Sequence, residues 1–298
     1  MIGSAVQRLP EAQIEPLKRA YRQARAAKRM SHALLGVGFI LALLAAGDIT
    51  QVDPVKLWAN RWELLDYFDR CLTLDSGERV WLQPFGESGW FWNIGRWSLL
   101  LLETIVMSYV GTLLGAAAGF VLCFWASANL TSKLWLRAGA RRTLEFLRTV
   151  PDLVFALIFV EAFGLGPLPG VLALALHSTG ALGKQFYELV ENIDMKPVEG
   201  VWASGGGRWA AIRFAVLPQI VGGFASYAIL RFEINVREAA VLGYVGAGGI
   251  GYKLIEGIRK FYYSDVSAIL VLIIVTVFLI DLVTDRLQSR LAGKGRHA

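Results

Sequence analysis

The chain has 298 residues, of which 55% are apolar and only 18% are charged, and its formal net charge is +6. Soluble domains hold about 25% charged residues, and here the apolar residues stand in long blocks, which excludes a soluble globular protein and a disordered chain. A nucleic-acid-binding protein clusters its basic residues on one face, whereas the 30 lysines and arginines here lie in short groups between apolar blocks. The composition indicates a multi-pass integral membrane protein that is surrounded by lipid and does not bind nucleic acid.

The first 48 residues combine a basic stretch with an apolar one. Residues 1–30 are polar and rich in lysine and arginine, and they are predicted to form an amphipathic cytoplasmic segment on the membrane surface. Residues 31–48 are predicted to be the first transmembrane helix. Because no small-residue cleavage site ends this block, the sequence does not predict a cleavable signal peptide.

Residues 49–97 form a polar segment that contains six tryptophans. Tryptophan is enriched where a membrane meets water, so this segment is predicted to lie against the periplasmic surface as short amphipathic helices. One cysteine, Cys71, lies here, and the other, Cys123, lies inside an apolar block. This separation argues against a disulfide, and the sequence has no spacing of Cys and His typical of a metal site.

Residues 98–285 are predicted to contain five further spans. Their approximate ranges are 98–126, 149–164, 168–186, 218–236 and 266–284. In the first of these, Gly111, Gly115 and Gly119 recur every four residues, a spacing that lets helices pack closely in lipid. Residues 127–148 form a basic segment between the spans 98–126 and 149–164. The stretch GLGPLPG (164–170) is predicted to be a turn. Residues 286–298 form a basic tail.

Six spans place both termini on the same side of the membrane. The segments 1–30, 127–148 and 187–217 and the tail hold most of the lysines and arginines near the spans. Cytoplasmic loops are enriched in these residues, so both termini are predicted to be cytoplasmic. The segment 237–260 is an exception, because it is basic although it is predicted to lie outside.

The stretch 197–218 has a regular arrangement of special residues. Gly205 follows Glu199 by six residues, and Leu217-Pro218 stands twelve residues further on. This spacing resembles the cytoplasmic coupling loop of ABC importer permeases, in which two short helices joined by a glycine turn fit into a groove of the ATPase subunit. The resemblance implies that the loop at 187–217 contacts an ATPase through Glu199, Gly205, Leu217 and Pro218, with the proline starting the next span.

About residues 95–290 resemble the phosphonate-uptake permease family, most clearly at 164–200, 217–251 and 271–287. The resemblance implies an all-α membrane protein of about six transmembrane helices with the methionine-transporter-like core of type I ABC importers. It implies a homodimer of permeases, two ATPase subunits that hold ATP and magnesium, and a periplasmic binding protein in a bacterial inner membrane. The substrate it implies is a phosphonate or a related oxyanion such as phosphite or hypophosphite. No cofactor is expected in this chain, and ATP is hydrolysed by the partner subunits.

Charged residues inside the fifth span are predicted to line the translocation path. Charges within a membrane are costly and usually face a pathway or a partner, and arginine is suited to binding oxyanions. The spacing of four residues predicts that Glu233 pairs with Arg237 and Arg231 with Asn235. Glu103 is another candidate partner of Arg231. The alternative is that these residues form a structural ion pair that fixes helix packing.

Two further groups are candidates for the path or its gate. His177 and Ser178 on the fourth span are placed to donate hydrogen bonds into a cavity, or else to bond neighbouring helices. The segment at 246–251 matches a dinucleotide-binding pattern, but no strand precedes it, so a nucleotide site is excluded. The family resemblance places this segment near the periplasmic gate. The predicted gate glycines are Gly246, Gly248, Gly249 and Gly251.

Three other functions compete with this interpretation. The same core serves importers of other solutes, such as phosphate or methionine. A secondary transporter would show broken helices in both halves, whereas the sequence has one Gly/Pro break, at 164–170. An intramembrane enzyme would need a nucleophile beside a base, and the adjacent His177 and Ser178 do not face each other on a helix.

Overall fold

The computed structural model describes residues 11–294. Two stretches of the predicted terminal segments, 1–10 and 295–298, lie outside the described residues. The chain divides into two compact units, Met1–Asp66 and Tyr67–Ala298. The boundary falls inside the predicted segment 49–97, and every predicted site residue belongs to the larger unit.

The first unit contains a long helix, α1 (Glu11–Ile49), and a short one, α2 (Pro54–Ala59). The predicted amphipathic segment and the predicted first span are therefore parts of one helix over the described residues. Side chains from 31 to 46 are exposed, which suits a helix that faces lipid. Asp53 caps α2 by accepting hydrogen bonds from two backbone N–H groups at 2.9 and 3.1 Å.

The second unit is built from helices, and no strand forms within residues 11–294. The predicted all-α fold class is therefore confirmed. A helix that crosses the boundary between the units, α3 (Arg61–Cys71), comes first. The others are α4 (Ile94–Ala126), α5 (Leu134–Thr149), α6 (Asp152–Phe163), α7 (Pro167–Glu191), α8 (Lys196–Ala203), α9 (Arg208–Ala211), α10 (Leu217–Leu242), α11 (Gly249–Arg259) and α12 (Tyr263–Lys294). A π-helical turn (Ile212–Val216) leads from α9 into α10.

Four helical stretches are long and apolar enough to cross a membrane. They are Arg19–Ile49, Ile94–Ala126, Arg208–Val245 and Tyr263–Ser289. The other two predicted spans correspond to α7, which has 25 residues, and to α6, which has 12. The count of six spans therefore stays a prediction.

A break separates α5 from α6. Pro151 has no N–H and cannot continue the helical hydrogen bonds of the preceding turn, so α6 begins after it. Most of the basic segment at 127–148 is helical, because α5 occupies it from Leu134 onward. Ala140 and Leu144, one turn apart, are buried and bind this basic helix to the core.

The predicted turn at 164–170 is shorter than expected. Gly164 and Gly166 have φ angles of +85° and +144°, values that favour glycine. α7 begins directly afterwards at Pro167, which is a favoured residue in a first helical turn. The turn is therefore three residues long, and residues 167–170 already belong to the helix.

The glycine ladder of α4 lies against α7, as its spacing predicts. A methyl group built on Gly115 would lie 2.5 Å from Ser178 Cβ, and one on Gly119 would lie 2.9 Å from the backbone nitrogen of Gly183. Carbon atoms do not approach other atoms so closely without a shift. The backbones of the two helices are therefore in direct contact, the arrangement that small residues allow in membranes.

We expect Gly115→Ala to destabilise the protein by about 1–3 kcal/mol, because the added methyl group overpacks this contact. Gly139→Ala is the matched control, since a methyl group on Gly139, in α5, meets nothing within 4 Å and alanine favours a helix. Thermal unfolding of the purified protein in detergent measures the difference. Equal melting temperatures for the two variants would contradict the close packing of α4 and α7.

The tryptophan-rich segment is only partly helical. It contains α2 and α3, as predicted, but residues 72–93 form turns without a regular helix. The indole N–H of Trp90 donates to Ser267 Oγ and that of Trp92 to Asp265 Oδ1, both at 2.9 Å. Trp97 is fully buried. These contacts fasten the end of the segment to the start of α12.

Candidate coupling loop and translocation path

The segment between α7 and α10 folds as a knob of short helices. The turn between α8 and α9 contains Gly205, whose φ of +81° favours glycine. The spacing of the motif predicted this turn. Because α7 continues to Glu191, the knob covers residues 192–216, and the predicted start at residue 187 is wrong.

The knob is firmly attached to the surrounding helices. Val198 is fully buried. The Glu191 carboxylate accepts a hydrogen bond of 2.6 Å from a backbone N–H of the α4–α5 connection and pairs with Arg141 of α5. Asp194 and the side chain of Gln219 exchange two hydrogen bonds of 3.0 and 3.1 Å. Glu191, directly before the knob, thus joins the end of α7 to α5. The knob itself is bonded to the start of α10 through Asp194 and to the end of α4 through Arg208, which donates a hydrogen bond of 2.9 Å to the carbonyl oxygen of Phe124.

The predicted ATPase-contacting residues lie on this knob and at its end. Glu199 is exposed in the first turn of α8, and within the described residues its carboxylate has no hydrogen bond or ion pair. Leu217 and Pro218 form the first turn of α10. Because α10 follows the π-helical turn without a break, in one helical stretch from Arg208 to Val245, the prediction that the proline begins the helix is wrong. The role of these residues in binding an ATPase stays a prediction.

A buried hydrogen-bond network connects α4, α7 and α10. Asn235 Nδ2 donates to Thr112 Oγ1 at 2.7 Å and to Ser178 Oγ at 2.8 Å. Arg231 Nε donates to Ser178 Oγ at 3.2 Å, and its Nη2 pairs with Glu238 at 2.8 Å. Arg231 is 8% exposed, so its charge needs these partners. One guanidinium is thus bound to polar groups of two helices.

Two predictions about Arg231 are wrong. It does not bond Asn235, because both side chains instead contact the same serine hydroxyl. Glu103 is not its partner either, because that carboxylate accepts a hydrogen bond of 3.1 Å from the N–H of Gly249. The actual partner, Glu238, follows Arg231 by seven residues, which is two helical turns and the same face. That spacing is the sequence signal that could have found it.

The predicted pair between Glu233 and Arg237 forms. Thr284 of α12 donates a hydrogen bond of 3.2 Å to Glu233, and Arg237 lies 3.9 Å from Asp281 of α12. The pair thus links α10 to α12. These contacts agree with the structural alternative, in which the pair fixes helix packing.

His177 and Ser178 contact neighbouring helices. The Nδ1 atom of His177 lies 3.0 Å from the carbonyl oxygen of Val150, at the break between α5 and α6. In a continuous helix this carbonyl would accept the N–H of Val154, which instead donates to the carbonyl of Pro151 at 3.0 Å, so the imidazole supplies the partner. Ser178 is fully buried and belongs to the network around Arg231. Their contacts agree with hydrogen bonding between helices, and a role in the path stays a prediction.

The loop before α11 depends on its glycines. Gly246, Gly248 and Gly249 have φ angles of +83°, +83° and +73°, which other residues rarely adopt. A methyl group on Gly251 would collide with the carbonyl oxygen of Ala240. The predicted gate glycines are therefore required for this backbone path, whether or not the loop moves.

α4 holds this glycine loop in place. Glu103 Oε1 accepts the N–H of Gly249 at 3.1 Å, and Thr104 Oγ1 accepts the N–H of Ile250 at 2.9 Å. These N–H groups stand at the start of α11, where a helix has no bonding partners of its own and where negative charge is favoured. No sequence pattern predicted this cap, because it joins residues 146 positions apart.

A charged cluster lies on α11 beside the glycine loop. A cavity of about 420 Å³ there extends from Gly246 to Arg259. Glu256 accepts hydrogen bonds of 2.6 Å from both Lys253 and Lys260. These two ammonium groups lower the pKa of the Glu256 carboxyl to about 2, so this carboxylate is ionised at neutral pH.

The sequence and fold were compared with known proteins. Residues 111–296 match the family described as the binding-protein-dependent transport system inner membrane component. The chain is 36% identical to the phosphite transport system permease protein PtxC of Stutzerimonas stutzeri, over 87% of this chain and 94% of the relative. It is 40% identical to the phosphate-import permease protein PhnE of Mycolicibacterium smegmatis, over 67% of this chain and 38% of the relative.

A third relative and a solved structure complete the comparison. The chain is 49% identical to the putative cryptic phosphonate transport system permease protein PhnE2 of Escherichia coli, over 40% of this chain and 98% of the relative. An inward-facing structure of the MetNI methionine ABC transporter superposes with a TM-score of 0.56 at 20% identity, over 65% of this chain and 95% of that one. At this identity the superposition shows a shared fold and nothing about the solute.

Proposed function

Because the chain belongs to the family of binding-protein-dependent transport system inner membrane components, we propose that it is the permease through which a phosphonate or phosphite enters the cell. It is a multi-pass membrane protein and a transport subunit of the ABC type. The observation that carries the proposed substrate is the 36% identity to a phosphite permease along 94% of that relative. Import of phosphate is the second candidate, because a phosphate-import permease is 40% identical over 201 residues.

The proposed assembly contains two copies of this chain and two ATPase subunits. The family works with binding proteins, and a periplasmic binding protein delivers the oxyanion to the outer face. ATP and magnesium are held by the ATPase subunits, which supply the energy. The membrane is the bacterial inner membrane, with both termini in the cytoplasm, an orientation favoured by the basic segments 1–30 and 127–148.

The proposed mechanism is alternating access. ATP binding closes the ATPase dimer and draws together the two knobs at 192–216. Because each knob directly follows α7 and is hydrogen-bonded to α4 and α10, its displacement tilts these helices. The glycine loop at 243–249 then opens outward, and hydrolysis returns the path to its inward-facing state. The hydrogen bonds from α4 to the start of α11 are the contacts through which tilting of α4 reaches this loop.

The network around Arg231 is the proposed anion-sensitive part of the path. An oxyanion needs positive charge or N–H donors along its way, and Arg231 is neutralised by a single carboxylate, that of Glu238. The side chain of Glu238 is 29% exposed. A substrate oxyanion that reaches this surface competes with Glu238 for the guanidinium.

The decisive test is ATP hydrolysis by the complete complex in lipid nanodiscs with its binding protein. We expect phosphite or one of a panel of phosphonates to stimulate hydrolysis several-fold, and only when the binding protein is present. Phosphate and methionine are included at equal concentration. Stimulation by phosphate alone would favour the second candidate.

Failure of every ligand to stimulate a complex that assembles would contradict the proposed substrate class but not the ABC architecture. A complex without its binding protein is the control, because in it no ligand is expected to act. A variant of the binding protein that cannot bind ligand shows how much ATP hydrolysis is stimulated by docking of the binding protein alone.

A further inference from the structure

A second cavity lies beside the coupling loop. It has a volume of about 440 Å³ and opens between the last turns of α4 and the segment that leads from α9 into α10. Its walls are apolar, with Phe120, Val121 and Phe124 on one side and Ile212 on the other. The knob at 192–216 forms one wall of the cavity through Arg208, Trp209, Ile212 and Arg213, and the proposed transport cycle places no ligand in it.

The cavity lies where two apolar stretches end. Ile94–Ala126 ends beside it and Arg208–Val245 begins beside it, and both are long and apolar enough to span a membrane. Trp125 and Trp209 line its mouth and are 39% and 76% exposed. Exposed tryptophan collects at the boundary between lipid tails and headgroups. The cavity therefore opens at the level of the headgroups.

Two arginines at the mouth lack a negative partner. Arg208 donates hydrogen bonds of 2.9 Å to the carbonyl oxygen of Phe124 and to Thr131 Oγ1, both neutral acceptors. The guanidinium of Arg213 lies 5.5 Å from the ring centre of Phe214. Within the described part of the chain, neither arginine forms an ion pair. An apolar slot with two uncompensated cations at its entrance matches a ligand with an apolar chain and an anionic head.

We propose that this cavity binds one anionic phospholipid, with its phosphate at Arg208 and Arg213 and an acyl chain along Val121. Charge complementarity selects an anionic over a zwitterionic lipid, because basic groups at this depth attract lipids of net negative charge. The bound lipid lies against the π-helical turn at 212–216, and such turns are frequent at functional sites. Since this turn connects the knob to α10, the lipid stiffens the joint that transmits motion.

Native mass spectrometry of the permease–ATPase complex tests this binding directly. The complex is equilibrated with equal amounts of phosphatidylglycerol and phosphatidylcholine, and the lipids that remain after delipidation are counted. We expect wild type to retain phosphatidylglycerol about tenfold more than phosphatidylcholine, since two interfacial cations contribute. The double variant Arg208→Gln/Arg213→Gln is expected to lose this preference. No solute is added, so the result does not depend on the proposed substrate.

Two further variants separate the headgroup site from general effects. Arg137→Gln/Arg142→Gln removes the same charge from α5, away from the cavity, and is expected to keep the preference. Val121→Trp fills the chain slot and leaves both arginines, and it is expected to lower retention of both lipids. Arg208 also bonds the end of α4, so its replacement could disturb that contact. Arg213→Gln alone leaves the contact intact, and we expect it to lower the preference for phosphatidylglycerol about threefold.

Equal retention of the two lipids by wild type would overturn the proposal. So would an unchanged preference in both Arg213→Gln and the double variant. Retention by the isolated permease that disappears when the ATPase binds would also overturn it, because the cavity would then be part of the ATPase contact surface.

Discussion

Arg231→Ala is expected to reduce uptake of the oxyanion at least tenfold while the complex with the ATPase still assembles. The substitution leaves the largely buried Glu238 without its partner, and breaking a buried pair costs about 3–5 kcal/mol. The 29% exposure of the Glu238 side chain places the expected loss of stability at the lower end of this range. Uptake into proteoliposomes and the melting temperature of the complex are measured on the same preparations.

A double variant separates the loss of charge from the loss of stability. Arg231→Met/Glu238→Met replaces the pair by apolar side chains, which often restores stability. If Arg231 is needed for the oxyanion to pass through the permease, uptake stays low although the melting temperature recovers. Recovery of uptake together with stability would reduce Arg231 to a packing role. Lys184→Ala is the control, since it removes a cation from an exposed pair of 3.5 Å on α7, a change worth about 0.5 kcal/mol or less.

The features that the sequence predicted correctly are local ones. The glycine turn of the knob needs a positive φ at Gly205, which the sequence shows by the glycine alone. The four-residue spacing from Gly111 to Gly119 likewise predicts a close contact with another helix. A positive φ is a property of one residue, and the spacing of the ladder is visible within one helix, so both can be recognised without knowing which distant segment is contacted.

The features that were missed depend on distant or competing contacts. The cap that Glu103 forms on α11 joins two segments 146 residues apart, and nothing near Glu103 in the sequence marks it. The charges of the segment that forms α5 predicted its side of the membrane but not its helix, although Ala140 and Leu144 show the one-turn spacing of a buried face. Arg231 bonds Glu238 and also Ser178 of α7, and Asn235 bonds the same serine. The sequence around Arg231 does not show that this serine lies beside it.

Reversing the charge of Glu199 is expected to lower co-purification of the ATPase at least tenfold. Glu199→Arg places a cation at the exposed first turn of α8, where the helix dipole makes it unfavourable by about 0.3–1 kcal/mol. Because the side chain is exposed and makes no contact within the described residues, the knob and its anchor at Val198 remain folded. The amount of ATPase that a tagged permease retains in detergent is the measurement.

Asp285→Arg is the matched control, because Asp285 is another exposed acid, on α12, without a described partner. It changes the net charge by the same amount and is expected to retain the ATPase. If both variants lose it, a general charge effect is responsible. Normal retention by Glu199→Arg would contradict a contact at α8, and the docking surface would then have to be sought elsewhere on the knob, where Trp202 is 43% exposed.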